Sequence, residues 1–557
     1  MDIKCPTSLA KILAEIPNTY LVGGCVRDAL MGLNPKDFDV EVYKTNYDEL
    51  GNKLAKYGKT DFVGKSFGVI KLTIDGETHD FSLARRDSLH AAQPNIPDNA
   101  QQKGHKAIKV DTTQDLTVEE GCVRRDLTIN SMAYDPRTKQ IIDPFGGIAD
   151  LERKVLRHTS AQFVEDPLRV MRVMQFAGRF AFSVHQETID LAKSIRDEYK
   201  YLSKERIWEE WSKFMGKAKK PSMGLNFLKD SGWIKAYPEL EALMGCPQDP
   251  EWHPEGDVWT HTCHCCDSLA QDPDWKQLTH EEKVIHMFGI LCHDLGKPLT
   301  TRLEFKPKVG RKAWVSPGHD ALGDKPTEEF LKRIGAPHEV IRRTIPLVTQ
   351  HMAHLQVSKD KEIRQLSLRV QPSSIAGLGL IIKADHSGRP PLAQGQPAEM
   401  EAILARANEL NCLTKPPEQI LKGRHISQWS TLEPGKSYGV LCKAAYDAQI
   451  QGRFHDEAGA KKWFDASAGK ILEEAKLAPE RFISGHTLVQ LYHKPCKELG
   501  ELHRDLFAAQ LQGTIRNEQQ AWEYVKHNSE KYKVPKENLK KVGKDEGPET
   551  ESPSIEP

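Results

Sequence analysis

Along the first third of the chain, short β-rich runs with apolar residues at every second position are broken by turns. Beyond it, apolar residues recur at the three-to-four spacing of helices. "TYLVGGCVRDALMGLNPKDFDVEVY" (19–43) predicts strand, tight turn, helix, loop and strand: Thr19–Val22, the Gly23-Gly24 turn, and a helix from about Cys25 to Met31. In "KDFDVEVY" the alternation sets Asp37, Asp39 and Glu41 on one face and Phe38, Val40 and Val42 on the other. "VIKLTI", the turn Asp75-Gly76 and "THDFSLARRD" predict a hairpin with Asp80 on the return strand. Residues 87–120 are polar and turn-rich, and predict a long loop able to fold over a substrate. "FVEDPLRVMRVMQFAGRF" (163–180) predicts a helix with Asp166 as N-cap and Pro167 at its first position. Asp166, Arg169 and Arg172 then share an arc of about 120°, beside an apolar stripe of Val170, Val173 and Ala177. "WTHTCHCCDSLA" (259–270) and "KVIHMFGILCHDLGKPLT" (283–300) also read as helical, the second ending at Gly296.

The C-terminal third repeats itself. "GRHISQWSTLEPGKSYGVLCKAAYDAQIQGRF" (423–454) aligns with "GHTLVQLYHKPCKELGELHRDLFAAQLQGTI" (485–515) at an offset of 61, matching Gly439, Ala448-Gln449 and Gly452 to Gly500, Ala509-Gln510 and Gly513. The expected organisation is α+β. A head with a mixed sheet (1–150) precedes a helical neck and body (151–225), a third, all-helical domain (226–400), two helical tail repeats (401–475 and 476–529) and a disordered tail (530–557).

Composition narrows the function. Lys+Arg 78 against Asp+Glu 78 leaves no global positive field, so a nucleic-acid partner has to be held by local basic patches. The first 20 residues lack a continuous apolar segment and no run of 18 apolar residues occurs, which predicts neither a signal peptide nor a membrane span. Eleven scattered cysteines then read as reduced thiols of a cytoplasmic protein.

In the head, Gly23 and Gly24 permit close backbone approach beside a helix N-terminus, a phosphate-binding arrangement to which Arg27 adds a charged fork. Asp37 and Asp39, at i and i+2, project side by side as needed to hold Mg2+ against a triphosphate; a solvated amphipathic strand is the bland alternative. Asp80 is either a third carboxylate or an ordinary edge-strand acid. "GCVRRDLTINSMAYD" (121–135) gathers Arg124 and Arg125, suited to phosphate, with Asp126 and Asn130, suited to ribose hydroxyls; surface salt bridges would leave the same pattern. Asp166 and Arg169 form either an intrahelical pair or an acceptor and donor presented to a base edge.

Taken in order, "LVGGCVRDALMG", "DFDVEV", "RRDLTINSMAYD", "DPFGG" (143–147) and "EDPLRVMRVMQFAGRF" resemble the class II tRNA nucleotidyltransferase and poly(A) polymerase family over about residues 20–220. The resemblance implies a polymerase-β-like head in which Asp37 and Asp39 bind Mg2+. Gly23, Gly24, Arg27 and Arg125 would lie near the triphosphate, and Asp126 and Asn130 near the ribose. It further implies that Asp166 and Arg169 read the incoming base without a nucleic-acid template, with Glu165 and Arg172 in support.

Two histidines and three cysteines fall within six residues at His261, Cys263, His264, Cys265 and Cys266. A structural zinc clip wants two separated ligand pairs. On a helix His261 shares a face only with His264 or Cys265, while Cys263 and Cys266 point elsewhere, so the three cysteines read as small core residues. His261, the adjacent His293-Asp294 and the late Asp385 are similar in order and spacing to the HD phosphohydrolase superfamily. That resemblance implies a divalent cation such as Ni2+, Mn2+ or Mg2+ on these four residues, with His293 and Asp294 catalytic. His319 and His351 would serve a second metal or touch substrate phosphate, and His354 lies nearby in sequence. Together the resemblances imply template-independent addition of CCA to tRNA from CTP and ATP, with an HD-domain phosphatase or 2′,3′-cyclic phosphodiesterase, in a monomer or homodimer. The alternatives are a poly(A) polymerase, a partial CC- or A-adding enzyme or, from another class, an RNA-binding phosphohydrolase with an inactive head. The intact acidic pair argues against the last.

Overall fold

Seven strands form the sheet of the head: β1 (Thr19–Val22), β2 (Asp39–Val42), β3 (Lys59–Asp61), β4 (Val69–Ile74), β5 (Glu77–Leu83), β6 (Ala133–Asp135) and β7 (Gln140–Ile142). In this computed structural model, which describes residues 3–62, 68–89, 108–111, 115–307, 310–492 and 496–539, their order is β3-β4-β5-β2-β1-β6-β7. The β2–β5 pair is parallel and the others antiparallel. Alternation buries Val40, Val42, Ile70, Leu72 and Phe81 against the Thr7–Glu15 helix, whose Leu9, Ile12 and Leu13 are solvent-free. Asp75 and Gly76 both take positive φ (52° and 83°), the type I′ geometry that joins β4 to β5 in two residues. The expected 87–120 loop lies partly outside the described residues; within them, Arg86–Leu89 pairs with Ile108–Asp111, and Val118–Cys122 is a helix capped by Thr117 and Glu120.

The neck helix runs Leu168–Phe180, one position later than expected. Asp166 still caps it, accepting from the Leu168 N–H at 3.1 Å, but Pro167 occupies the boundary. The helix packs on Lys204–Lys217 and Pro221–Asp230, and a Cβ on Gly178 or Gly224 would lie within 2.8 Å of Phe214. Helices Val258–Gln271, His280–Cys292 and Ile375–Ser387 pack together in the next domain, which a two-stranded hairpin (Arg302–Lys306 with Arg311–Val315) interrupts. Packing groups the chain into two units: one runs to Gln356 and takes in Arg369–Leu404, the other takes in Val357–Leu368 and the chain from Ala405.

In the second unit the Lys436–Ile450 and Lys497–Leu511 helices begin and end 61 residues apart, as do the starts of Glu457–Glu474 and Glu518–His527. The polar contacts repeat too. Gln449 donates to the Glu418 carbonyl (2.8 Å) and accepts from the Ile420 N–H (3.0 Å); Gln510 donates to Glu480 (2.7 Å) and accepts from Phe482 (3.2 Å). The expectation of disorder from residue 530 needs correcting. Tyr532 and Val534 belong to the core of the second repeat, and Asn538 donates to the Leu491 carbonyl at 2.9 Å; residues 540–557 lie outside the described part. Among the described residues no helix is long and apolar enough to cross a membrane.

Candidate functional site

The β1–helix turn sits at the head's acidic edge. Gly23 has φ +72°, and a Cβ there would lie 3.0 Å from Arg125 Nη1 and 3.9 Å from Asp39 Oδ2, so the turn needs glycine both for its dihedral and for room. Asp39 opens β2, and the parallel register sets it directly beside Asp80 of β5. Asp37 lies in the exposed bend just before. Partial desolvation pushes the Asp39 carboxyl above its ordinary range; Arg125 opposes this, while Asp80, Asp37 and Glu41 reinforce it. Carboxylates crowded together are what a divalent cation relieves, so Asp37, Asp39 and Asp80 fit the Mg2+ that the resemblance implies. Glu41 is set apart. Fully buried, it is clasped by Arg124 Nη2 (2.6 Å) and Arg125 Nη2 (3.2 Å), which hold its pKa down against burial.

Five residues close a ring between head and neck. Arg27 Nη1 donates to Asn130 Oδ1 (2.6 Å), Asn130 Nδ2 to Asp126 Oδ1 (3.0 Å), and Arg172 Nε to Asp126 Oδ2 (2.6 Å). Both guanidiniums then stack on the Phe176 ring, at 5.3 Å and 5.2 Å. Burial works against the Asp126 carboxylate, yet Arg172, Asn130 and the Leu127 N–H hold its pKa at about 2. The Arg169 N–H donates to the Asp166 carbonyl at 3.0 Å, and the side chains are held from elsewhere. Arg206 grips Asp166 at 2.9 Å, and Arg169 donates to the carbonyls of Gln162 and Arg124. Glu165 ends the 3-10 turn that precedes them. The sequence reading missed Phe176, which passes for a core residue on its helix, and Arg206, for no local spacing marks a partner 40 residues away. "DPFGG" is a hinge for this frame: Asp143 accepts from the N–H groups of Gly147 (2.7 Å) and Ile148 (2.9 Å), and a Cβ on Gly147 would stand 2.3 Å from the Thr128 carbonyl.

The second centre is built by three helices. His261 comes from the first turn of Val258–Gln271 and Asp385 from the end of Ile375–Ser387. The preceding helix stops at Cys292 instead of reaching Gly296, which leaves His293 and Asp294 on the turn after it. Gly296 is required there, because a Cβ would stand 2.0 Å from the His319 carbonyl. His261 Nε2 lies 3.0 Å from Asp385 Oδ1 and 3.7 Å from Asp294 Oδ2; His293 Nε2 lies 3.1 Å from Asp294 Oδ2. The other Asp294 oxygen faces His319 (3.4 Å) and His351 (4.0 Å), whose Nε2 atoms are 3.1 Å apart. Burial, with His293 and His319 alongside, presses the His351 pKa down to about 4, leaving a neutral imidazole. His293 Nε2 and both Asp294 oxygens are buried without a regular hydrogen bond, although Lys297 approaches Asp294 Oδ2 at 2.7 Å. Such orphaned donor atoms fit a divalent metal held by His261, His293, Asp294 and Asp385.

Glu255, missed from sequence, fixes the His261 ring: its Oε1 is 2.7 Å from His261 Nδ1. Beside the cluster opens a cleft of about 760 Å³ lined by His319, His351, His354, Lys297, Arg389 and Trp314. Among the neighbours of His261, His264 faces solvent, and Cys263 and Cys266 are buried as expected of core residues. Cys265 is in the core as well. Burial raises its pKa to about 11, and its sulfur is 3.4 Å from His261 Nε2.

The family model of the poly A polymerase head domain matches residues 19–157. Over 410 residues the chain is 33% identical to the multifunctional CCA protein of Xanthomonas campestris pv. campestris, covering 70% of this chain and 91% of that one. With the protein of the same name from Vibrio cholerae the identity is 34% over 403 residues, covering 70% and 90%. Among solved structures, the Bacillus stearothermophilus CCA-adding enzyme in complex with CTP matches with a TM-score of 0.55 at 19% identity, covering 85% of this chain and 98% of that one. The Thermotoga maritima CCA-adding enzyme complexed with tRNA gives 0.52 at 18%, covering 85% and 97%. At such identities the likeness is one of fold.

Proposed function

This chain belongs to the multifunctional CCA protein family, and on that premise we propose that it adds CCA to the 3′ end of tRNA from CTP and ATP, with its HD centre as a separate phosphohydrolase site. The observation that carries the first activity is Asp39 in register with Asp80 beside the Gly23 turn, with Asp37 adding its field. Asp37, Asp39 and Asp80 would hold Mg2+, which would supply charge stabilisation at the triphosphate and at the attacking tRNA 3′-hydroxyl. The bond that forms joins that oxygen to the α-phosphorus, and pyrophosphate leaves. Gly23 and Gly24 let the triphosphate approach the backbone, while Arg27 and Arg125 present guanidiniums to it. Asp126 and Asn130, fixed in the ring with Arg27 and Arg172, bind the ribose. Arg206 and two main-chain carbonyls hold Asp166 and Arg169 in place, so that an acceptor and a donor fork meet the base edge without rearranging.

In the HD centre a divalent ion such as Ni2+, Mn2+ or Mg2+ would supply an activated water for attack on a phosphomonoester or 2′,3′-cyclic phosphate. His261, His293, Asp294 and Asp385 would hold it, Glu255 orients His261, and the cleft has room for a nucleotide end.

The test is incubation with tRNA lacking CCA and labelled CTP or ATP, singly and together. Two C residues from CTP alone, and a terminal A only when both are present, is the expected result. Runs of A from ATP alone would indicate a poly(A) polymerase, and addition of only C or only A a partial enzyme. No incorporation by the intact protein would overturn the head assignment.

A further inference from the structure

Cys265 stands one helical turn beyond His261 on the inner face of the Val258–Gln271 helix. Its Sγ is 3.4 Å from His261 Nε2, the nitrogen that lies 3.0 Å from Asp385 Oδ1, and His293 Nε2 is 3.8 Å from that same oxygen. The four donor atoms all lie within 4.8 Å of one another. Tetrahedral zinc, with sulfur at about 2.3 Å and nitrogen at about 2.0–2.1 Å, separates its donors by about 3.3–3.6 Å. The observed spacings bracket that range. His293 Nε2 is fully buried and makes no regular hydrogen bond, its nearest polar neighbour being Asp294 Oδ2 at 3.1 Å, which is a second sign of a missing ligand. The backbone facing the sulfur is bare: a Cβ on Gly388 would lie 2.3 Å from Cys265 Sγ.

We propose that Cys265 is a metal ligand of the HD centre, and that this thiolate makes the inner position select Zn2+ or Co2+ over Mg2+. The proposal rests on reading the centre as a divalent-metal site and adds a donor that the His, His-Asp, Asp pattern lacks. On binding, the S–H bond breaks, a sulfur lone pair forms the bond to the metal, and the proton leaves to solvent; nothing is oxidised or reduced. One soft sulfur added to two imidazoles and the Asp294 and Asp385 carboxylates shifts the donor set toward zinc or cobalt, whereas magnesium takes oxygen.

The full-length protein, stripped by chelator and titrated with Co2+, tests this. The expected result is a sulfur-to-cobalt charge-transfer band in the near ultraviolet, absent in Cys265→Ser and kept in Cys263→Ser and Cys266→Ser. Zn2+ affinity of Cys265→Ser should fall by about tenfold or more, with Mg2+ affinity unchanged. An unchanged cobalt spectrum and zinc affinity in Cys265→Ser overturn the proposal; if His293→Ala still abolishes cobalt binding, the metal-site reading survives. If His293→Ala leaves cobalt binding intact, that reading fails as well. Zinc-edge X-ray absorption on the unaltered protein needs no variant: a sulfur scatterer at about 2.3 Å is expected, and a shell of nitrogen and oxygen alone refutes the thiolate.

Discussion

Phe176 is apolar, lies on a helix, and would pass for a core residue, yet Arg27 and Arg172 both rest on its ring. Those guanidiniums otherwise meet only through Asn130 and Asp126. Phe176→Ala should therefore loosen both forks, at about 1–2 kcal/mol for the pair of contacts, or roughly a tenfold loss in kcat/KM for nucleotide incorporation. Phe176→Tyr, which keeps the ring, should restore most of it. Asp126 makes a pH-dependent contribution. Its folded pKa of about 2 lies below the unfolded 3.8, so its stabilisation is complete above pH 4 and is lost as pH falls toward 2. The difference is worth about 2 kcal/mol. Asp126→Asn should flatten that part of the acid denaturation curve, which chemical unfolding between pH 2 and 5 would record. In the HD centre, Glu255 holds the far nitrogen of His261. Glu255→Gln should weaken metal binding by about 10- to 100-fold without removing a ligand, measurable by competition with a chromophoric chelator.

Elements were legible from the sequence where periodicity and turn chemistry agreed. The β4–β5 hairpin follows from apolar alternation and Asp75-Gly76, and the Val258–Gln271 helix from its spacing alone. The acidic strand was half legible: alternation put Asp37, Asp39 and Glu41 on one face, but only tertiary packing reveals that Glu41 is consumed by Arg124 and Arg125. Glycine was misread in the other direction. Gly296 looked like the end of a helix, whereas its small size serves the contact with the His319 carbonyl, and the helix stops at Cys292. The Asp166–Arg206 and Glu255–His261 contacts depend on how elements dock, which no local pattern encodes. The tail duplication was visible as scattered identities, and its physical basis is one glutamine per copy, buried at Gln449 and half-buried at Gln510, that satisfies both an N–H and a carbonyl of the segment before it. Gln449→Ala and Gln510→Ala should each cost about 1–3 kcal/mol. The larger loss is expected at Gln449, which is the more buried of the two, as thermal melts of the single variants would show.

At the scale of the molecule, two centres with unrelated donor sets lie in one packing unit. Asp37→Ala should abolish nucleotide incorporation and leave phosphatase activity within about twofold, and His293→Ala should do the reverse; joint loss in either variant would contradict two separate sites. The Lys204–Lys217 helix ties them together. Near its start Arg206 grips Asp166, in its middle Trp211 packs on Phe288 and Phe330, and at its end Gly216 leaves room for His280. The same helix thus holds Asp166 near one end and packs on Phe288 and Phe330 of later helices at its middle. An inheritance consequence follows. On the proposed reading, a lineage that no longer needed the phosphohydrolase could lose it by substituting a single histidine, whereas deletion of the domain would strip Trp211 of its contacts with Phe288 and Phe330. In such descendants the second centre would persist as a silent scaffold, its ligands drifting while its aromatic seam stayed fixed.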